Sequence, residues 1–176
     1  MTRPSGPTPG SAADDSPPAD PERVARAVLL RQLTAGPRTE AQLREALAKR
    51  RVPAEVAEPL LARFAEVGLI DDAAYAEALI RSEAAAGGLS RRRVAQRLTA
   101  KGVSRDVVAT VVAEIDPDAE YQAARDLAAR QQRRLAGLDL TTAQRRLIGV
   151  LARRGYPPDT VRTVVQETLG GGPGLD

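Results

Sequence analysis

Apolar side chains along this chain recur three or four residues apart, and no stretch alternates in the manner of a strand. Leu43 with Leu47, Val56 with Leu60 and Phe64, Val94 with Leu98, and Leu147 with Leu151 each fall on one face of a helix. Helix-start and helix-stop residues punctuate this pattern. Asp20-Pro21 supplies an N-cap and a first-turn proline, and Gly36-Pro37 closes that helix. Thr39 with Gln42 forms a capping box for a second helix, and Pro53 opens a third. Gly68 is a left-handed C-terminal stop with Leu69 as its apolar follower. Asp71 or Asp72 caps a fourth helix that ends at Gly87-Gly88. Ser90 and Gly102 bound the fifth, and Ser104 caps the sixth. Asp116-Pro117 opens the seventh, and Gly137 ends it. Thr141 with Gln144 reads as a capping box for the eighth, which Gly155 ends, and Pro157-Pro158 opens the ninth.

Nine helices invite a search for internal repeats, and three segments align: residues 39–61, 90–112 and 142–165. Leu43, Val94 and Leu147 correspond, as do Leu47, Leu98 and Leu151 four residues later. Arg51, Gly102 and Gly155 then take the turn, followed by Val52, Val103 and Tyr156. Leu60-Leu61, Val111-Val112 and Val164-Val165 close the units. The helices that precede them match more weakly, with Tyr75 and Tyr121 in step. The expected fold is all-α: three tandem three-helix repeats, over 20–70, 71–115 and 116–169, stacked into an elongated, curved array because one short unit buries too little apolar surface alone. Residues 1–19, rich in Pro, Gly, Ser and Asp and without periodicity, are expected to be a disordered tail, and 170–176 a flexible end. Two positions break the pattern in the first repeat. Arg51 stands where the others have glycine, which predicts left-handed strain. Pro59 falls inside the third helix, which predicts a kink or a late start.

Composition narrows the chemistry. Cysteine and histidine are absent, which removes thiolate nucleophiles, disulfides, imidazole bases and Cys/His zinc sites. No phosphate-cradling glycine loop and no nucleophile elbow occurs. The Asp71-Asp72 pair lies between a glycine stop and a helical stretch, where capping accounts for it. The expectation is a protein that binds rather than catalyses, with no cofactor and no metal. No apolar run approaches a membrane span, and the N-terminus lacks the apolar core of a signal peptide, so the expected compartment is the cytoplasm.

Charge is uneven. Residues 1–80 hold 10 Lys+Arg against 12 Asp+Glu, and residues 81–176 hold 16 against 11. The candidate binding residues are therefore the clusters in the second half: Arg91, Arg92, Arg93, Arg97, Lys101, Arg130, Arg133, Arg134, Arg145, Arg146, Arg153 and Arg154. Stacked repeats would line them into a positive track suited to a phosphate backbone or an acidic protein groove. Cations in last helical turns are also favoured by the helix dipole, which accounts for Lys101, Arg130, Arg133, Arg134, Arg153 and Arg154 without any ligand. It does not account for Arg91–Arg93 at a helix start. Four scattered aromatics (Phe64, Tyr75, Tyr121 and Tyr156) make a poor base-stacking platform, so any contact with single- or double-stranded DNA should be to its backbone.

The stretch Gly68-Leu69-Ile70-Asp71-Asp72 followed by Tyr75-Ala76, with a later Lys101-Gly102-Val103 turn, resembles the RecX family. The resemblance covers about residues 22–169. It implies three tandem three-helix repeats and a regulator of the RecA recombinase that binds in the groove of the RecA–single-stranded-DNA filament. It further implies restrained filament extension, ATP hydrolysis, strand exchange and co-protease activity, hence a part in DNA repair, recombination and the SOS response. It supplies no catalytic residue and no fixed list of contacts, and a monomer is expected. Two other readings fit the short helix pairs: a helix-turn-helix-like transcription regulator, and a scaffold for proteins alone.

Overall fold

A computed structural model describes residues 20–170; the expected tail at 1–19 lies outside them, as does the expected end at 170–176 apart from Gly170, which caps the last helix. Among the described residues there are nine α-helices and no strand. They are α1 (Pro21–Ala35), α2 (Glu40–Ala48), α3 (Ala54–Glu66), α4 (Asp72–Ala85), α5 (Arg91–Ala100), α6 (Arg105–Ala113), α7 (Pro117–Leu135), α8 (Leu140–Arg154) and α9 (Pro158–Leu169). They pack in consecutive threes, α1–α3, α4–α6 and α7–α9.

Most helix starts follow the sequence signals. Asp20 accepts from the Arg23 amide, and Thr39 and Gln42 exchange both bonds of a capping box. Ser90, Ser104 and Asp116 cap α5, α6 and α7. Helix α8 is the exception. It begins at Leu140 with Asp139 as N-cap, whose carboxylate accepts from the Thr142 amide at 2.9 Å. Thr141 is therefore inside the first turn. The Thr141–Gln144 pair had the more complete capping-box spelling, but Asp is an equally good cap and starts the helix two residues earlier.

The repeat alignment is visible in backbone geometry. Arg51, Gly102 and Gly155 all take left-handed φ values, 56°, 80° and 91°. After each, the next amide reaches back five residues: Val52 to Leu47, Val103 to Leu98 and Tyr156 to Leu151. This is the hydrogen-bond pattern of a Schellman turn, used three times. Arg51 is the one non-glycine residue at positive φ among the described residues. Replacing it by glycine removes the Cβ clash of that conformation, so Arg51→Gly should raise stability by about 1 kcal/mol. A urea midpoint that falls instead would show that the Arg51 side chain contributes more than its strain costs. Pro59 does not delay α3, which starts at Ala54 and runs through it. It sits on an exposed face, where water can take the carbonyl that proline leaves without a donor.

The described chain divides into two compact units, one ending at Asp71 and one beginning at Asp72. The first repeat closes a core of its own around Leu29, Leu43, Leu47, Leu61 and Phe64. Ties across its surface include Arg44 of α2, which donates to Glu58 of α3 and to Glu40. These bonds hold the guanidinium above its usual range and the Glu58 carboxyl below its own. The second and third repeats share one continuous core, in which Val94, Leu98, Leu147, Leu151 and Val164 are fully buried.

Candidate functional site

Nine of the eleven arginines singled out above fall into two groups in the second unit. The first group is held in contacts inside the second unit: Arg91, Arg130 and Arg154 reach between the second and third repeats, and Arg93 and Arg97 stay within the second. Glu120 of α7 is buried, and its carboxylate accepts from the backbone amide of Arg91 at 2.9 Å. A carboxylate at this helix start offsets the unfavourable placement of three cations there. The Arg91 side chain turns to the Ile115 carbonyl, with Nε at 3.1 Å, and approaches Glu120 at 3.9 Å. Glu83 of α4 is likewise buried and receives both Arg93, at 3.4 Å, and Arg97. Arg130 donates to the carbonyl of Gly87 at 2.8 Å. Arg154 lies over Gly88, its terminal nitrogen 3.1 Å from where a Cβ would stand. Nothing in sequence spacing pointed to Glu83 or Glu120. The available signal was an acidic residue set into a small-residue helix end, Ser82-Glu83-Ala84-Ala85.

Tyr156 belongs to the same junction. Its ring is buried, and its hydroxyl has no hydrogen-bond partner among the described residues. Burial pushes that hydroxyl up, so it stays neutral.

The second group points outward. Arg134 of α7 and Arg145, Arg146 and Arg153 of α8 line one depression of about 400 Å³ between those helices, with Gly149 and Val150 at its floor. All four are exposed, and none forms an ion pair with a described residue. Arg145, Gly149 and Arg153 sit four residues apart on one face of α8. A mid-helix glycine costs about 1 kcal/mol relative to alanine. Here the Arg153 guanidinium folds back over it, 3.0 Å from the missing Cβ. Four guanidiniums around one hollow repel each other in the absence of an anion, and their planar forks suit phosphate or carboxylate oxygens. Arg133 is exposed in the last turn of α7, Lys101 at the end of α5, and Arg92 on the far side of α8.

Among the described residues no cluster of His, Cys, Asp and Glu could hold a metal ion, and no helix is long and apolar enough to cross a membrane. What the geometry offers is a helical-repeat protein with a cationic face on its third repeat.

Comparison with known proteins identifies the repeats. Models of the first, second and third three-helix domains of RecX match residues 25–64, 71–112 and 118–165. The chain belongs to the RecX family of regulatory proteins. It is 46% identical over 165 residues to the regulatory protein RecX of Streptomyces coelicolor, covering 93% of this chain and 88% of that one. Against the regulatory protein RecX of Thermobifida fusca the figures are 44%, 93% and 86%. The crystal structure of RecX from Lactobacillus salivarius superposes with a TM-score of 0.78 at 18% identity, covering 85% of this chain and 97% of that one. A second crystal structure of regulatory protein RecX gives 0.75 at 23% identity, covering 83% and 73%.

Proposed function

We propose that this protein is a negative regulator of the RecA recombinase. It binds the RecA–single-stranded-DNA filament in the cytoplasm and restrains filament extension, ATP hydrolysis, strand exchange and co-protease activity. Membership of the RecX family supports the RecA partner. The four-arginine depression between α7 and α8 supports direct contact with a phosphate backbone, since these guanidiniums carry no intramolecular ion pair among the described residues. The arginines at Glu83 and Glu120 have a structural task instead, so charge reversal at Arg93 or Arg97 would test folding before it tested binding.

The deciding measurement is the rate of ATP hydrolysis by RecA on single-stranded DNA, with the protein added to saturation. The rate falls if the proposal holds, and an unchanged rate removes it. A double reversal, Arg145→Glu with Arg153→Glu, should weaken binding to free DNA about 100-fold at low salt. It should also flatten the salt dependence by close to two phosphate contacts. A parental salt slope in that variant would mean that the depression does not hold phosphate.

A further inference from the structure

On the other flank of α8, away from the arginine depression, a groove of about 680 Å³ runs between α8 and α9. Its walls include Ile148, Ala152, Tyr156, Val161 and Val165, and Arg92 of α5 stands at its edge. Leu140 and Ile148 are 55% and 46% exposed, two of five large apolar side chains in that state among the described residues. They lie eight residues apart on α8, about 12 Å along the helix, and of the two only Ile148 lines the groove.

The charges around the groove are one-sided. No acidic residue lines it. Arg92 is exposed and forms no ion pair with a described residue. Arg162, the other lining cation, pairs with Asp159 on its own helix, where both side chains are well exposed and the pair is weak. A nucleic acid fits this surface poorly. The one aromatic ring present, Tyr156, is 4% exposed and leaves little face for a base to stack on, and most of the remaining wall is aliphatic.

We infer that the α8–α9 groove docks an amphipathic helix of a protein partner, which sets aliphatic side chains on Ile148 and Ala152 and a carboxylate on Arg92. The inference rests on the proposed function, in which that helix belongs to RecA. It gives the two flanks of one helix separate tasks: α8 meets phosphate with its α7-facing side and protein with its α9-facing side. Binding through an apolar face and one carboxylate is a helix-in-groove arrangement, and its affinity depends far less on salt than phosphate contacts do.

The test uses the full chain and RecA filaments on single-stranded DNA, with co-sedimentation read at moderate salt. Ile148→Glu should reduce co-sedimentation at least tenfold while leaving affinity for free DNA at the parental value. Arg92→Glu should reduce it several-fold, and Arg92→Lys should restore most of the loss. Ile148 and Arg92 are both exposed, and the thermal midpoint of each variant confirms that the fold is kept. Parental co-sedimentation in both glutamate variants overturns the inference. So does an equal loss of free-DNA binding, which would make the groove a nucleic-acid surface. A parental dimer that Ile148→Glu dissociates in sedimentation velocity would assign the groove to a second copy and overturn it as well. A parental chain that neither sediments with the filament nor slows its ATPase removes the RecA reading itself, and this occupant with it.

Discussion

Gly155→Val should cost the second unit about 3 kcal/mol. Two effects add at this position. The backbone stands at φ 91°, where a non-glycine residue pays roughly 1–2 kcal/mol and a β-branched one pays at the upper end. A Cβ there would also lie 2.9 Å from the Ser90 hydroxyl and 3.3 Å from the Arg93 amide. Ser90 is fully buried and caps α5, so neither it nor the helix start can retreat without losing the cap. Gly137 provides the control. Its φ is 87°, yet nothing lies within 4 Å of its missing Cβ. Gly137→Ala should therefore cost only the conformational part, about 1 kcal/mol. Urea unfolding of the two variants measures the difference. Equal losses would mean that the contact between the α8 turn and Ser90 carries no energy.

Glu83→Ala is the second large effect, a loss of about 2 kcal/mol. Removing the carboxylate leaves Arg93 and Arg97 converging on a site with no counter-ion. Breaking a fully buried pair costs roughly 3–5 kcal/mol. The guanidiniums here keep 38% and 45% of their side-chain surface in water, which screens part of that penalty. The signature to look for is salt rescue. Raising the ionic strength should narrow the gap between Glu83→Ala and the parent, because it screens the two unpaired cations. A gap that stays constant with salt would point to lost packing of the Glu83 stem instead.

The repeats, their turns and eight of the nine helix starts were legible because they depend on neighbours in sequence. An Asp-Pro opening or a glycine four residues past a leucine carries its geometry locally. Even the strain at Arg51 followed from comparing one repeat with the next. Asp139 was missed because the local rule was ambiguous: Asp139 and Thr141 both qualify as caps, and only packing of α8 against its neighbours selects the earlier start.

The division of the arginines was not legible at all. Arg91 finds Glu120 at a separation of 29 residues, and Arg130 finds the Gly87 carbonyl at 43. Helical periodicity places a side chain on a face but says nothing about which carboxylate the tertiary fold brings to it. The rows of cations looked alike in sequence. One set turns out to fasten helices within the second repeat and between it and the third, and the other surrounds an open hollow. The α8–α9 groove was hidden for a related reason. Ile148 and Leu140 continue the apolar pattern of α8, and only the packed structure shows that they are left uncovered.

The two separate cores have a genetic corollary. A lesion at Leu43 or Phe64 strikes a unit that ends at Asp71, while the helices carrying the arginine hollow and the groove lie wholly beyond Asp72. Core substitutions in the first repeat should therefore behave as hypomorphs, with antigen level and residual function uncoupled. Equivalent substitutions at Leu98 or Leu147 fall in the single core shared by the second and third repeats and should behave as nulls. Alleles of this protein would sort by which side of Asp71 they fall on rather than by which of the three repeats they occupy.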